Sequence, residues 1–510
     1  MIKFIRQTRV METKTIQKNE WRQKNHKICG KFLMFGVFFL VFCSFTNKAV
    51  GQIYSGGSGT VADPYLISSK ADMEALSTAV NAGNGYSGKY FLLTRDITDG
   101  ITTIIGSNSA YPFRGIFDGG GHEVNVNINT TTILCVGIFG SVSNATIINL
   151  GVAGNINAVY NVDKNEVDAG GICGYVIAST TISNCYNKGN ILLSAGLCAG
   201  TTGGICGWAD KATSITNCYN TGNISATAGN AASGGICGDA TSTIADCYNT
   251  GYISASSATS YVGGICGLGS VITDCYNAGN ISSKGGAVVY SYAFAGGICG
   301  FVSKPFIFNC FAVNTSIESF LFFSAAVVGG GWYYYDSVDL NRIAAASSGS
   351  GYIQNCYALT TMQLNGTTDY NALGNCGMDE DFTNFQSQSW IKENLGWDFD
   401  KTWEMSNINS ILNGLPTLKK QENTGITSIN NPKLEEKKNI LVYPNPAKDE
   451  LFIKSDSQIK KIEIYSSSGA LQLSDNNFNG KISISNLFQG IYMVKIYTDN
   501  GLVIKKVVKE

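Results

Sequence analysis

The sequence predicts an all-β chain, a parallel β-solenoid (β-helix) followed by a small β-sandwich, and three observations carry that expectation. A five-residue phrase, Gly-Gly-Ile-Cys-Gly, occurs five times, at 170–174, 203–207, 234–238, 263–267 and 296–300. The copies recur every 29 to 33 residues. A fixed period in that range marks a stacked array in which each unit buries its apolar face only against its neighbours. Each phrase is also answered, nine to twelve residues after its cysteine, by a second cysteine in an Asn/Asp-Cys-Tyr/Phe phrase. Finally, 59 glycines, 7 prolines and 14% charged residues beside 44% hydrophobic ones suit short strands and tight turns, exclude disorder and argue against a helical array. The net charge of −1 leaves no long-range attraction for nucleic acid or an anionic membrane, so neither is expected as a partner.

Residues 1–51 read as a signal peptide. A basic lead with Lys3, Arg6, Arg9, Lys14 and Lys18 precedes an apolar core at 32–43, too short to span a bilayer. Ala49-Val50-Gly51 then offers a small-x-small cleavage site. The mature chain is expected to start near Gln52 and to hold no transmembrane segment. Of sixteen cysteines, Cys29 and Cys43 fall in the leader and fourteen remain. Export and an even count permit disulfides. The spread of one pair per repeat is unlike a zinc site, and no metal or cofactor is expected.

Residues 52–135 read as the N-terminal capping part. Ser69-Lys70-Ala71-Asp72 is a capping-box-like start for a short helix with Met73, Leu76 and Val80 on one side, placed to cover the first rung of the stack. Strands are expected at 64–68 and 90–97. In Asp118-Gly-Gly-Gly-His122 the histidine is the only one of the mature chain, which removes any multi-histidine metal site. A glycine turn between strands is the expected role.

Residues 136–361 are the repeats. Phe139 stands where a first cysteine would be and Leu150 where a second would be, so both thiols are lost together and both replacements are large and apolar. That coupling supports disulfides within single rungs, pairing Cys173 with Cys185, Cys206 with Cys218, Cys237 with Cys247, Cys266 with Cys275 and Cys299 with Cys310. The alternative is that these positions all point inward and stack as free thiols, since unpaired cysteine packs as a small hydrophobe. A later unit is expected at Gly329-Gly330-Gly331-Trp332, with Cys356 then pairing with Cys376; Cys135 and Cys198 are left over. In Ile182-Ser183-Asn184-Cys185 two apolar positions lie three apart, which no flat strand of period two accommodates. The chain must bend at Asn184, and equally at Asn217, Asp246, Asp274 and Asn309, residue types that tolerate left-handed backbone. Segments after Ile191, Ile224, Ile253 and Ile281 vary in length and wording, and are expected as solvated edge loops; the alternative is that their tyrosines, such as Tyr261, Tyr290 and Tyr292, stack on sugars.

Residues 362–418 carry Trp390, Trp397, Trp403, Phe382, Phe385 and Phe399 and read as the closing cap of the solenoid. Met378-Asp379-Glu380-Asp381 is a solvated acidic run without calcium-loop spacing. A polar linker at 419–438 leads to 439–510, where six or seven alternating strands without cysteine suggest an Ig-like sandwich.

The Gly-Gly-Ile-Cys-Gly and Asn-Cys-Tyr-Asn-x-Gly-Asn-Ile phrases resemble the GLUG repeats of bacterial surface proteins, including arrays found beside IgA-peptidase domains. The lead-in from Gly56, with Asp63-Pro64-Tyr65-Leu66-Ile67 and Phe117-Asp118-Gly119, looks like the start of such arrays, while Ile-Cys departs from the family's more usual Leu-Val. The tail is similar to the type IX secretion sorting domain of gliding bacteria and their relatives, through Val442-Tyr443-Pro444-Asn445-Pro446, the Ser468-Gly469 turn, Gly490-Ile491-Tyr492 and the closing Lys505-Lys506-Val507-Val508-Lys509. This resemblance implies the type IX secretion machinery as a partner and a secreted or outer-membrane-surface location. The expected function is non-catalytic adhesion, or binding to glycans or a host surface. The alternative is a β-helix polysaccharide lyase or glycoside hydrolase, which needs acids from neighbouring coils grouped on one face. Between 170 and 300 the acids are Asp210, Asp239, Asp246 and Asp274, and the last two fall at corners.

Overall fold

A computed structural model describes residues 54–160, 166–286, 291–321, 337–347, 352–368, 376–419, 440–455, 458–466, 471–476, 478–498 and 501–510. The expected signal peptide, the 329–332 phrase, Tyr290, the Ser468-Gly469 turn and nearly all of the expected linker lie outside the described residues.

The repeats build a parallel β-solenoid. One coil runs through strands Cys206–Ala209 and Ser214–Thr216, turns at Asn217, and continues through Tyr219–Asn220 and Ile224–Gly234. Pairing between coils is parallel and in register. Phe139 lies opposite Cys173, then Cys206, Cys237, Cys266, Cys299 and Ala344. Tyr186, Tyr219, Tyr248, Tyr276, Phe311 and Tyr357 form a second series. The coil after Cys299 therefore has Asn341 to Ala344 in the place of the repeated phrase, with alanine at the thiol position, and not the expected 329–332.

The corners are as the spacing predicts. Asn149, Asn184, Asn217, Asp246, Asp274, Asn309 and Asn355 all take φ between 50° and 55°, where a polar side chain costs least after glycine. Their side chains bond along the axis: Asn184 Nδ2 donates to Asn149 Oδ1 at 3.2 Å, and Asn309 Nδ2 to Asp274 Oδ1 at 3.0 Å. The glycine pairs are needed for close approach, since a Cβ on Gly204 would collide with the Gly235 carbonyl of the next coil.

A second polar column, inside the stack, is absent from the sequence reading. Asn187, Asn220, Asn249, Asn277 and Asn314 are each at most 1% exposed. Asn249 shows the pattern: its Nδ2 donates to Gly251 O at 2.9 Å and to Asn277 Oδ1 at 2.8 Å, while its Oδ1 accepts from Asn220 Nδ2 at 2.8 Å. Each coil thereby satisfies the next one's amide, which is what permits five amides in a dry interior.

The thiols correct the disulfide reading. All fourteen described cysteines are free and buried, and eleven of them form two columns along the axis, Cys135, Cys198 and Cys376 lying outside these. In the first, Cys206 Sγ donates to Trp208 O at 3.1 Å and Cys237 Sγ to Asp239 O at 3.3 Å. In the second, Cys218 Sγ donates to Thr216 O and Cys247 Sγ to Ala245 O, both at 3.1 Å. A thiol spent on its own strand's carbonyl is not cross-linked to the opposite column, and burial pushes the Cys173, Cys237, Cys266 and Cys299 thiols well up. Cys356 donates to Gln354 O at 3.3 Å and Cys376 to Asn341 Oδ1 at 2.8 Å, so this expected pair is also unbonded. Register explains why Phe139 and Leu150 substitute together: both sit in columns that fill the same core.

Helix Lys70–Asn81 starts at Ser69, whose side chain accepts from Asp72 N, and buries Met73, Leu76 and Val80. Two of the variable segments are strands and not loops, since Ile224–Gly234 and Ile253–Gly263 pair along nearly their whole length, while the segment after Ile191 does turn between Ser194 and Ala199. The tryptophan-rich region also differs from expectation. It lies as a strap on the flank of the solenoid, against the Tyr/Phe column, where Trp397 Nε1 donates to Asn309 O at 2.9 Å, Trp403 Nε1 to Asp246 Oδ1 at 3.2 Å, and Tyr276 OH to Pro416 O at 2.7 Å. In the acidic run, Asp379 pairs with Arg342, and Glu380 accepts from Asp381 N and Asn384 Nδ2.

The tail packs two antiparallel sheets. Leu441–Tyr443, Glu450–Lys454 and Lys481–Ser483 form one; Ile459–Ser466, Leu471–Asp475, Gly490–Thr498 and Gly501–Lys509 form the other. Leu451, Ile462, Ile464, Val494, Ile496 and Val507 fill the space between them. That is the expected sandwich.

Two measurements test this architecture. Asn249→Ala removes an amide that bonds to two coils and is expected to cost about 2–4 kcal/mol, because it also strands the Asn220 amide; urea unfolding would read the loss. Alkylation after denaturation without reductant is expected to modify all fourteen of these cysteines, and native protein almost none; a mass consistent with even one in-rung pair contradicts the thiol columns.

Candidate functional site

The core face of each coil is nearly invariant, so chemistry that differs between coils must lie on the outward positions. Two columns flank the repeated phrase. Five residues before its cysteine position the series reads Asp168, Thr201, Ala232, Tyr261, Phe294 and Asp339, joined by register. Two residues after it the series reads Tyr175, Trp208, Asp239, Leu268 and Phe301, with Ser141 at its foot. The chain turns back at the glycine pair, so the two columns face each other: the Tyr261 and Phe301 rings are 5.5 Å apart and those of Phe294 and Phe301 5.7 Å.

The result is an aromatic strip along the axis, its two columns in ring contact where Tyr261 and Phe294 meet Phe301. Tyr175 and Trp208 stack at 4.9 Å with 18° between planes, and Tyr261 and Phe294 at 5.2 Å with 6°. All four rings are only half-buried. Between the two stacks the coil carrying Ala232 and Asp239 interrupts the aromatics with a small side chain and an acid. Four steps of about 4.8 Å between its five coils make the strip about 19 Å long.

Its acids are desolvated. Asp168 is 5% exposed and accepts from Thr201 Oγ1; burial pushes its carboxyl well above the usual range. Burial pushes Asp239 up to about 6, with Glu166 adding repulsion, and raises Glu166 as well. Cys135 lies next to Asp168 in the same column, and burial raises its thiol to about 12. No group of three or more His, Cys, Asp or Glu able to hold a metal ion occurs among the described residues.

The other residues singled out from sequence are structural in position. His122 Nδ1 lies 3.1 Å from Asp96 Oδ1, and Asp118 Oδ1 accepts from Gly120 N at 2.8 Å, which makes 118–122 the expected glycine turn. Tyr261 does lie in the strip, though on a strand; Tyr292, 6.1 Å from Phe294, is at its margin. In the tail, Asn445 Oδ1 accepts from Val508 N at 2.8 Å and Ala447 N donates to Val508 O at 2.8 Å, so the Tyr443-Pro444-Asn445-Pro446 segment is tied to the last strand. Tyr443 itself is 48% exposed. Tyr492 is buried, its hydroxyl donating to Phe488 O at 2.8 Å, beside the Gly490 that opens its strand. Tyr175, Trp208, Phe294 and Phe301 were missed by the sequence reading. The signal was available: they sit at fixed offsets on either side of a phrase that hardly varies.

Comparison with known proteins fits this architecture. Residues 199–225 match the GLUG motif, and residues 441–510 match the secretion system C-terminal sorting domain. The chain thus carries a GLUG motif and a C-terminal sorting domain, and the latter indicates type IX secretion to the cell surface or into the medium. No helix among the described residues is long and apolar enough to cross a membrane. No curated protein matches the chain. A crystal structure of a Bacteroides ovatus protein, described provisionally as an immunoglobulin A1 protease, superposes with a TM-score of 0.41 at 20% identity, over 72% of this chain and 96% of that one. Nothing about the present chain rests on that likeness.

The buried corner acids make a pH test. Burial pushes Asp246 and Asp274 up to about 7 each. A carboxyl whose folded pKa exceeds its unfolded one contributes stability that is complete below about pH 4 and declines as pH rises towards 7. A shift of about three units corresponds to at most about 4 kcal/mol per group. Asp246→Asn with Asp274→Asn restores the asparagine found at the other corners and keeps the oxygen that Trp403 uses. The double variant is expected to unfold later than wild type at pH 8 and about equally near pH 3, in matched thermal melts.

Proposed function

We propose that this exported solenoid binds glycans along the aromatic strip formed by its two outward columns, and serves adhesion to polysaccharide or to a glycan-coated surface. The observation that carries the reading is the half-exposed Tyr175–Trp208 stack, continued by Tyr261, Phe294 and Phe301. The outward edges of the stacked rings, and the uncovered face at the end of a stack, present apolar surface against which the C–H face of a sugar can lie, and a few polar groups beside them fix its orientation. The acids Glu166 and Asp239 can accept hydrogen bonds from sugar hydroxyls at the edges. An extended strip of several repeated subsites suits a chain ligand and gains affinity through many weak contacts.

A second reading, cleavage of the bound chain, is favoured by one observation: Asp239 is held up to about 6 in the same strip as Glu166. A carboxyl raised towards neutrality is what a general acid requires.

The secreted protein on an array of oligosaccharides is expected to retain glycans, and Trp208→Ala to lose at least about tenfold in affinity, on the order of 1.4 kcal/mol, with unchanged melting. Equal binding by that variant contradicts the strip as the binding site. Release of reducing ends by wild type, abolished in Asp239→Asn, selects the second reading.

A further inference from the structure

The strip's charge narrows the ligand. Around the Tyr175–Trp208 stack stand Glu166, Asp168 and Asp239, and Asp339 closes the far end of the same column. Neither column contains a lysine or arginine at any of its positions, from Cys135 and Ser141 at the foot to Asp339 at the far end. Ser141, fully buried in the column of Tyr175 and Trp208, has an Oγ without a hydrogen-bond partner. Among the described residues the two columns thus combine stacked rings and acceptor-rich edges, with no cation in either.

We infer that the strip selects uncharged polysaccharide and rejects glycans carrying carboxylate or sulfate, with Glu166 and Asp239 as the specificity-determining residues. The inference rests on the glycan-binding reading and deepens it. A sugar hydroxyl donating to a carboxylate makes a charge-assisted hydrogen bond, roughly twice as strong as a neutral one. A uronate on the same ring stack would instead bring a second negative charge into a partly desolvated site where neither column offers a cation, and like charges in such a setting are strongly disfavoured. Rejection is therefore built from the acids, while the rings supply binding to either kind of sugar. It follows that removing the acids' charge widens specificity, whereas removing the ring abolishes binding.

The test uses pairs of hexasaccharides with one backbone, a glucan against its glucuronan and a galactan against its galacturonan, titrated into the full secreted chain at pH 7.5 and followed by tryptophan fluorescence or calorimetry. The neutral member of a pair is expected to bind at least about tenfold more tightly than the uronate. Glu166→Gln with Asp239→Asn is expected to bring the two within about threefold, by a gain for the uronate. In wild type, raising sodium chloride from 50 to 500 mM is expected to narrow the gap in the same direction, which keeps the test open should the double variant fold poorly. Equal binding of both members by wild type overturns the inference and leaves the glycan reading standing. A gap that neither salt nor the double variant moves overturns it as well. Binding of no member of either pair defeats both.

Discussion

Everything in the solenoid depends on parallel pairing in strict register. Parallel strands place each residue over its counterpart one coil away, at about 4.8 Å, so a choice made at one position is repeated along the axis as a column. Tyr186, Tyr219, Tyr248 and Tyr276 stack at 4.9 to 5.1 Å with planes within 9° of one another, a geometry set by the strands and exploited by the rings. A one-residue slip in any coil would break every column at once, turning the buried amides and thiols outward and the aromatic faces inward.

That repetition decides which polar groups the interior can hold. A lone buried asparagine leaves donors or acceptors unmet, but a column of them is self-satisfying except at its ends. At one end Asn314 has to use Ser316 O at 3.1 Å and the Met362 sulfur at 3.9 Å. The thiols solve a smaller problem in the same way: each donates to a carbonyl two residues along its own strand, so the columns fill space without cross-links. Where the column ends, Phe139 on one side and Ala344 on the other replace the thiol with a purely apolar group.

Much of this was legible in the chain. The period and the Asn/Asp corners follow from spacing alone, because three-residue intervals between apolar positions force a bend at Asn184 and its equivalents. The tail's strands follow from alternation at 459–466 and 490–498. What was not legible had physical causes. Paired cysteines read alike whether bonded across a coil or stacked along the axis, and only the direction of each S–H distinguishes the two. The inner asparagines, Asn187 and its equivalents, lie two residues after the second cysteine, where their text suits an exposed turn as well as a buried column. The aromatic strip was hidden because its residues share no identity: Tyr175, Trp208 and Asp239 are unlike one another and become neighbours only through the register of the cysteines beside them. The strap was misplaced because a tryptophan cluster shows that a surface is covered and leaves open which surface.

The strap also changes how the stack meets a load. Tension arriving through Lys419 enters by way of Pro416–Leu418, which is bound sideways to Tyr248 and Tyr276 and, through Trp403 and Trp397, to Asp246 and Asn309. A pull on the C-terminal side is thus spread over several layers in shear, and cannot peel the outermost layer away by itself. The tryptophans behave as a buttress, and the force needed to unravel the ribbon is set by the sum of these lateral contacts.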